Sequence, residues 1–367
     1  MKKIPLIKPY ITEEVKADVC AVLDSGFLTE GPVTEELEKS IKGYVGSQYA
    51  LAMSNCTVGL ETALRAMGVG PGDEVIVPDY TYPATGSAVQ IVGASLVIVD
   101  VDPATCLIDY EALESAITQK TKALIPVSLF GNPVDYNRLE KTKQNFGVLI
   151  LEDAACSLGA SYGDIRVGNL ADISVFSLHP RKFITTGEGG LVTTNNGRWA
   201  EWMDSYKHFG MVSNGDRLGA RFERTGTNYK LSNIQAAVGL AQMRHIDGLL
   251  RKRTEMALRY TALLEGADGV GFQKTTPNGI HSWQSYCIFV GNPSRVIQEL
   301  KKKGIETQIG TYSLHMHPAF TKDPNCRIVG EMLGSRYNFD HALCLPLYHE
   351  MTEEIQDYVV HELLKVT

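Results

Sequence analysis

The sequence predicts an α/β protein: a three-layer α/β/α large domain around a mostly parallel seven-stranded sheet, followed by a smaller α+β domain. Three observations carry this. Seven short runs rich in Val, Ile and Leu lie between residues 49 and 194 and mostly lack polar alternation, as strands covered on both faces do. Helix-period patterns fill several of the gaps, as crossovers between parallel strands require. After residue 230 the pattern changes to longer helical stretches and short mixed elements.

In chain order, strands are expected at 49–53, 74–77, 95–101, 123–129, 148–151, 173–178 and 190–194. Helices are expected at 58–67 and 110–117, and then at 232–240 and 246–264. A loop at 275–278 leads into the α+β unit, which runs from about Ser282 to the end. A boundary near residue 245 gives a large domain with an N-terminal arm, 1–245, and a small C-terminal domain, 246–367.

Composition excludes several functions. The net charge of -7 leaves no basic surplus to neutralise a nucleic-acid backbone. The seven cysteines are scattered, with no C-x-x-C pair, so neither a zinc site nor a disulfide framework is expected. His315 and His317 have no third ligand nearby in sequence, so no metal is expected there either. Pro5, Lys8 and Pro9 interrupt any signal-like start, and no apolar run reaches the roughly 18 residues of a membrane span. A cytoplasmic protein is the expectation. Gly68–Gly72 reads as a turn, because a strand follows it rather than a helix, and 185–190 lacks the Gly-Lys-Ser/Thr of a P-loop.

Chemistry concentrates past two strand ends, where ligands sit in such sheets. The run 148–151 leads directly into Glu152-Asp153-Ala154-Ala155, and 173–178 into His179-Pro180-Arg181-Lys182. An acid and a lysine so placed match the needs of pyridoxal 5'-phosphate. The amine holds the aldehyde as an imine and moves the substrate's proton, while the carboxylate keeps the pyridine nitrogen protonated. Arg181 cannot replace Lys182, because a guanidinium is not a nucleophile. Each residue alone has a plainer reading: a solvated surface lysine, and a helix-capping aspartate.

Six ordered motifs change the balance. Ser54-Asn55-Cys56-Thr57, Tyr80-Thr81-Tyr82-Pro83-Ala84-Thr85, Glu152-Asp153-Ala154-Ala155, Phe176-Ser177-Leu178-His179-Pro180-Arg181-Lys182, Gly187-Glu188-Gly189-Gly190 and Gly226-Thr227-Asn228-Tyr229 stand in that order. The chain thereby resembles the DegT/StrS nucleotide-sugar aminotransferases, which share the fold type I architecture of aspartate aminotransferase. The resemblance implies that Lys182 forms the imine and Asp153 pairs with the pyridinium. It implies that Cys56, Thr57 and Ser177 hold the phosphate, a role that suits a helix N-terminus. It places Tyr82 on the ring face, Cys156 near the ring oxygen, Asn228 on the phosphate of a partner subunit, and His315 towards substrate. A homodimer with shared sites follows from this.

The implied reaction loads the cofactor from L-glutamate and aminates a nucleotide-linked keto sugar, most simply a 4-keto sugar, for surface polysaccharide or a related glycan. A C3 keto-sugar or cyclitol aminotransferase and a sugar dehydratase of the same fold are the alternatives. Four departures stand out: Cys56 in place of a usual Gly, Cys156 in place of Gln or His, Lys230 in place of Arg, and Gly310-Thr311-Tyr312 in place of a His-Tyr-Pro region.

Overall fold

In the computed structural model, residues 3–212 and 219–367 are described. The large sheet has eight strands: β1 (Tyr49–Met53), β2 (Glu74–Pro78), β3 (Ser95–Val99), β4 (Thr121–Leu124), β5 (Leu149–Asp153), β6 (Ile173–Ser177), β7 (Gly190–Thr194) and β8 (Cys326–Val329). Their order across the sheet is β1-β7-β6-β5-β4-β2-β3-β8. β7 runs antiparallel to both neighbours, and every other pair is parallel.

All seven expected strands lie in this sheet, and the eighth was not anticipated. β8 comes from the C-terminal part of the chain and has three half-buried residues and one exposed. It therefore leaves no continuous apolar run in the sequence. The expected strand at 123–129 is also shorter than anticipated. Pairing weakens at Pro126, which has no N–H to give, and Leu129–Gly131 form a 3-10 turn instead.

Helices cover the sheet. Cys56–Ala66 begins two residues before the expected start, because the Asn55 side chain caps it by accepting from the Val58 N–H. Asn233–Met243 begins at a capping box made by Ser232 and Gln235. Beyond it, Ile246–Leu264, Pro293–Lys302 and Glu353–Leu363 pack on a four-stranded antiparallel sheet around Tyr260, Tyr286, Leu343 and Val359. The N-terminal arm joins that unit through bonds from Ile4 to Gly304 and from Glu306 to Ile4. Among the described residues no helix is long and apolar enough to cross a membrane.

Candidate active site

Lys182 lies on the connection between β6 and β7. That connection folds back on itself: Leu178 N–H donates to Gly189 and Thr186 N–H to Leu178, at 2.9 and 3.0 Å. The return is direct, without a crossover helix, and so β7 must run antiparallel. One side chain then grips the loop on both sides of the lysine. Gln284 donates from Nε2 to the Arg181 carbonyl at 2.8 Å, and its Oε1 accepts from Phe183 N–H at 3.2 Å. Held this way, the Lys182 Nζ donates to Cys156 Sγ at 2.9 Å. Burial works against charge on this amine, but the Cys156 sulfur, with Cys56 and Asp153, outweighs it and holds Lys182 above the ordinary lysine range.

Asp153 is the last residue of β5, next to β6, and no helix follows it, so a capping role does not apply. Its carboxylate is 4% exposed and accepts from Thr85 Oγ1 at 2.7 Å and Ala155 N–H at 3.1 Å. Burial pushes this carboxyl above its usual range, against the pull of those two bonds and of Lys182. The neighbouring Glu152 points into the core instead, where it accepts from Ser128, Tyr136 and Ser174.

The helix Cys56–Ala66 aims its N-terminus at the same rim. The Asn55 side chain and carbonyl take the N–H groups of Val58 and Gly59. Those of Cys56 and Thr57 are first-turn donors with no intrahelical acceptor. Gly190 permits this approach: a Cβ there would lie 2.5 Å from the Asn55 carbonyl carbon and 2.7 Å from Cys56 N. Because Gly190 pairs with Ser177 across the sheet, the Ser177 hydroxyl belongs to the same corner. Lys182, Asp153, Cys156, Cys56, Thr57 and Ser177 are thus gathered around three strand ends and one helix start.

Tyr82 is connected to this cluster through one helical turn. It precedes the helix Pro83–Ile91, its carbonyl accepts from Thr85 N–H, and the Thr85 hydroxyl bonds Asp153. Its ring is 64% exposed and tilts against Tyr312 at 6.1 Å. His315 stands on the Tyr312 side, where its N–H and Nδ1 bond the two oxygens of Asp79 at 2.7 and 2.6 Å.

Asn228 is not gathered with the lysine in this chain. It is exposed, and its backbone bridges His208, while Tyr229 O accepts from Ser54 N–H at the end of β1. Gly226 allows that crossing, since a Cβ there would come within 2.2 Å of Gly210 N. Asn228 does not cap the following helix, because Ser232 does.

Sequence inspection assigned no role to Thr85 or Gln284. Thr85 stood inside a quoted motif, one helical turn after Tyr82, and that spacing was the available signal. Gln284 offered none.

A cleft of about 1310 Å³ lies elsewhere and is lined by Glu30, Glu38, Asp204 and His208 among others. Its acidic lining disfavours a phosphate. Lys207 already supplies the cation there, 2.9 Å from Glu30, 3.3 Å from Glu38 and 3.5 Å from Asp204.

Comparison with known proteins places this geometry among relatives. A family described as the DegT/DnrJ/EryC1/StrS aminotransferase family matches residues 9–364. The spore coat polysaccharide biosynthesis protein SpsC of Bacillus subtilis is 32% identical, over 97% of this chain and 95% of its own. A putative sugar aminotransferase from Streptococcus pneumoniae, solved in its PMP form, superposes with a TM-score of 0.92 at 30% identity, covering 99% of this chain and 97% of that one. PseC of Helicobacter pylori, an aminotransferase involved in pseudoaminic acid biosynthesis, superposes with a TM-score of 0.93 at 26% identity, over 100% and 99%.

Proposed function

Because the chain belongs to the DegT/DnrJ/EryC1/StrS aminotransferase family, we propose that it uses pyridoxal 5'-phosphate to move the amino group of L-glutamate onto C4 of a nucleotide-linked keto sugar. The observation that carries this is the meeting of Lys182 and Asp153, from the ends of adjacent parallel strands, beside a helix N-terminus with unclaimed N–H donors. The residues fit the cofactor by their chemistry. The Cys56 and Thr57 N–H groups and the Thr57 and Ser177 hydroxyls are donors for a phosphate. Asp153 is an acceptor for a pyridinium, and the exposed Tyr82 offers an aromatic face.

When bound, the cofactor supplies an aldehyde for the amine and an electron sink for the carbanion. Lys182 would hold the aldehyde carbon and, once released from it, would take or return the proton at the substrate carbon in each half-reaction. Asp153 keeps the ring nitrogen protonated, a task that its buried position strengthens. Gln284 fixes the backbone from which Lys182 reaches.

Relatives in spore coat polysaccharide and pseudoaminic acid synthesis support a sugar acceptor and an amino-sugar product for a surface glycan. The run His179-Pro180-Arg181-Lys182 with Thr185–Gly190 favours C4 over C3. The lysine itself argues against a dehydratase, whose relatives carry histidine there. We place the reaction in the cytoplasm and in a homodimer, with Asn228 reaching the partner's phosphate. Co-refolding Asn228→Asp with Lys182→Ala should restore roughly a quarter of wild-type activity, since a two-fold interface repeats each contact. No recovery in mixed dimers removes Asn228 from the shared site.

The deciding test is a panel of 4-keto and 3-keto nucleotide sugars with glutamate, products read by mass spectrometry. Amination of 4-keto sugars with parallel initial-rate lines is expected. Amination of 3-keto sugars alone, or of none, refutes the C4 assignment.

A further inference from the structure

We infer that Arg253, a buried cation on the helix Ile246–Leu264, positions Lys182 by acting through Gln284. Its guanidinium holds the backbone of Trp283 and Gln284, and the Gln284 side chain holds the peptide units that flank the lysine. The inference rests on the reading of Lys182 as the imine-forming lysine.

Arg253 is 3% exposed, and burying a charged group is costly unless it is hydrogen-bonded. Among the described residues no carboxylate pairs with it. Burial alone pulls the guanidinium down to about 9, which leaves it charged at neutral pH. Its partners are backbone carbonyls: Nε donates to Trp283 at 2.8 Å, Nη2 to Gln284 at 2.7 Å and Nη1 to Leu347 at 3.4 Å. A rigid planar fork on two adjacent carbonyls fixes their direction, as an ammonium on a flexible stem does not. The guanidinium carbon also lies 5.4 Å from the centre of the Phe183 ring, and Phe183 directly follows Lys182.

The backbone held in this way is an unusual one. Trp283 has a φ of 53°, a left-handed conformation that a bulky residue keeps only when its surroundings impose it. Its N–H donates to His281 Nδ1 at 2.8 Å, and its ring stacks on that of His281 at 4.1 Å. Arg253 secures the carbonyl side of the same residue. Gly131 lets the turn lie close, since a Cβ there would come 2.9 Å from Gln284 N and 3.0 Å from Trp283 N. From this turn Gln284 gives Nε2 to the Arg181 carbonyl and takes the Phe183 N–H. An apolar side chain would fill the place of Arg253 without desolvating a charge, so the carbonyl contacts are what the guanidinium contributes.

The first measurement needs no cofactor. Hydrogen exchange of the full cofactor-free chain is read at single amides by mass spectrometry with electron-transfer fragmentation. The Phe183 amide reports the Gln284 contact, and the Thr186 amide, which donates to Leu178, is the reference in the same loop. In Arg253→Met, exchange at Phe183 should quicken about tenfold, the scale of one hydrogen bond, while Thr186 holds. Arg253→Lys keeps the charge and loses the fork. It should quicken Phe183 by a smaller factor, and it stands in if the methionine variant does not fold. Unchanged exchange at Phe183, or equal quickening at both amides, overturns the positioning role.

The second measurement is a cycle of variants in single turnover with L-glutamate, followed by cofactor absorbance. A misplaced amine lowers the rate of reaction more than the binding of substrate. Arg253→Lys and Gln284→Leu should each lower the limiting rate about tenfold, with the half-saturating glutamate concentration within about twofold. The double variant should lose no more than Gln284→Leu alone. Losses that multiply overturn the action through Gln284 and leave the Lys182 assignment standing. Borohydride labelling of the wild type tests that assignment separately, and a label on another lysine overturns it whatever the exchange rates show.

Discussion

Asp153 and Asp79 occupy equivalent places and use them differently. Each lies at the carboxyl end of a parallel strand, β5 and β2 respectively, and each is buried, at 4% and 0% exposure. Asp79 is the more fully engaged, with three bonds: His315 takes both oxygens, through its N–H and Nδ1, and the Ser335 hydroxyl takes one of them as well. Asp153 accepts one hydroxyl and one amide, and burial leaves its carboxyl pushed upward. A carboxylate receives up to about four hydrogen bonds. Asp79 therefore organises its own chain, while Asp153 keeps capacity for a cationic ligand beside Lys182.

The largest effect expected is that of Lys182→Ala, which removes the residue proposed as both nucleophile and proton carrier. Transamination should fall by on the order of 10³-fold or more, with the far-ultraviolet circular dichroism unchanged. Residual turnover within tenfold of wild type breaks the contrast at its functional end.

Asp153→Asn comes next. A neutral amide cannot hold a pyridinium proton, and turnover should fall by on the order of 10²-fold or more. Stability should move the other way. The folded carboxyl sits above its usual range, so the folded chain holds that proton more tightly than the unfolded chain does. Ionising it therefore costs stability as pH rises through the unfolded value, and the amide has no such cost. Without added cofactor, the melting temperature at neutral pH should not fall. A clear drop would mean that Asp153 is chiefly structural.

The two carboxylates were not equally legible in the sequence. Asp153 and Lys182 showed because a buried-strand run stops abruptly at polar residues, and a strand end is a local feature. What fixes them did not show. Thr85 is 68 positions from Asp153 and Gln284 is 101 from Phe183, so neither contact has a period or spacing to read. Asp79 and His315 are 236 apart, and their pairing depends on the short strand Tyr312–Ser313 lying against Tyr80–Thr81. β8 was missed for a related reason: an edge strand with an exposed residue needs no apolar run. Asn228 was read from motif alone, and in one chain it faces solvent.

Asp79→Asn should reverse the pattern of Asp153→Asn. The amide keeps one accepting oxygen and turns its NH₂ towards donors that wanted an acceptor. Leaving such buried groups unpaired costs about 1–3 kcal/mol, and the melting temperature should fall accordingly. Turnover should fall less than in Asp153→Asn, because His315 is displaced while Lys182 and Asp153 remain. Equal loss of activity in the two variants, with no thermal difference, erases the distinction between them.

Thr85→Val is the smallest change and the sharpest. Valine matches threonine in shape and removes the hydroxyl that Asp153 accepts at 2.7 Å, a contact that Thr81 supports from 2.9 Å on the other side. That bond favours the ionised carboxylate and opposes the upward push of burial. Without it the Asp153 carboxyl rises further, so protonation sets in at a higher pH. The acid limb of the kcat profile should therefore shift to higher pH, while the loss at the optimum stays below about tenfold, the scale of one hydrogen bond. The Asp79 carboxylate is held by His315 and Ser335 rather than by Thr85, so the thermal signature of Asp79→Asn should not appear. An acid limb that stays in place would mean that Thr85 merely fills space, and that the ionisation of Asp153 is set by burial and Lys182 alone.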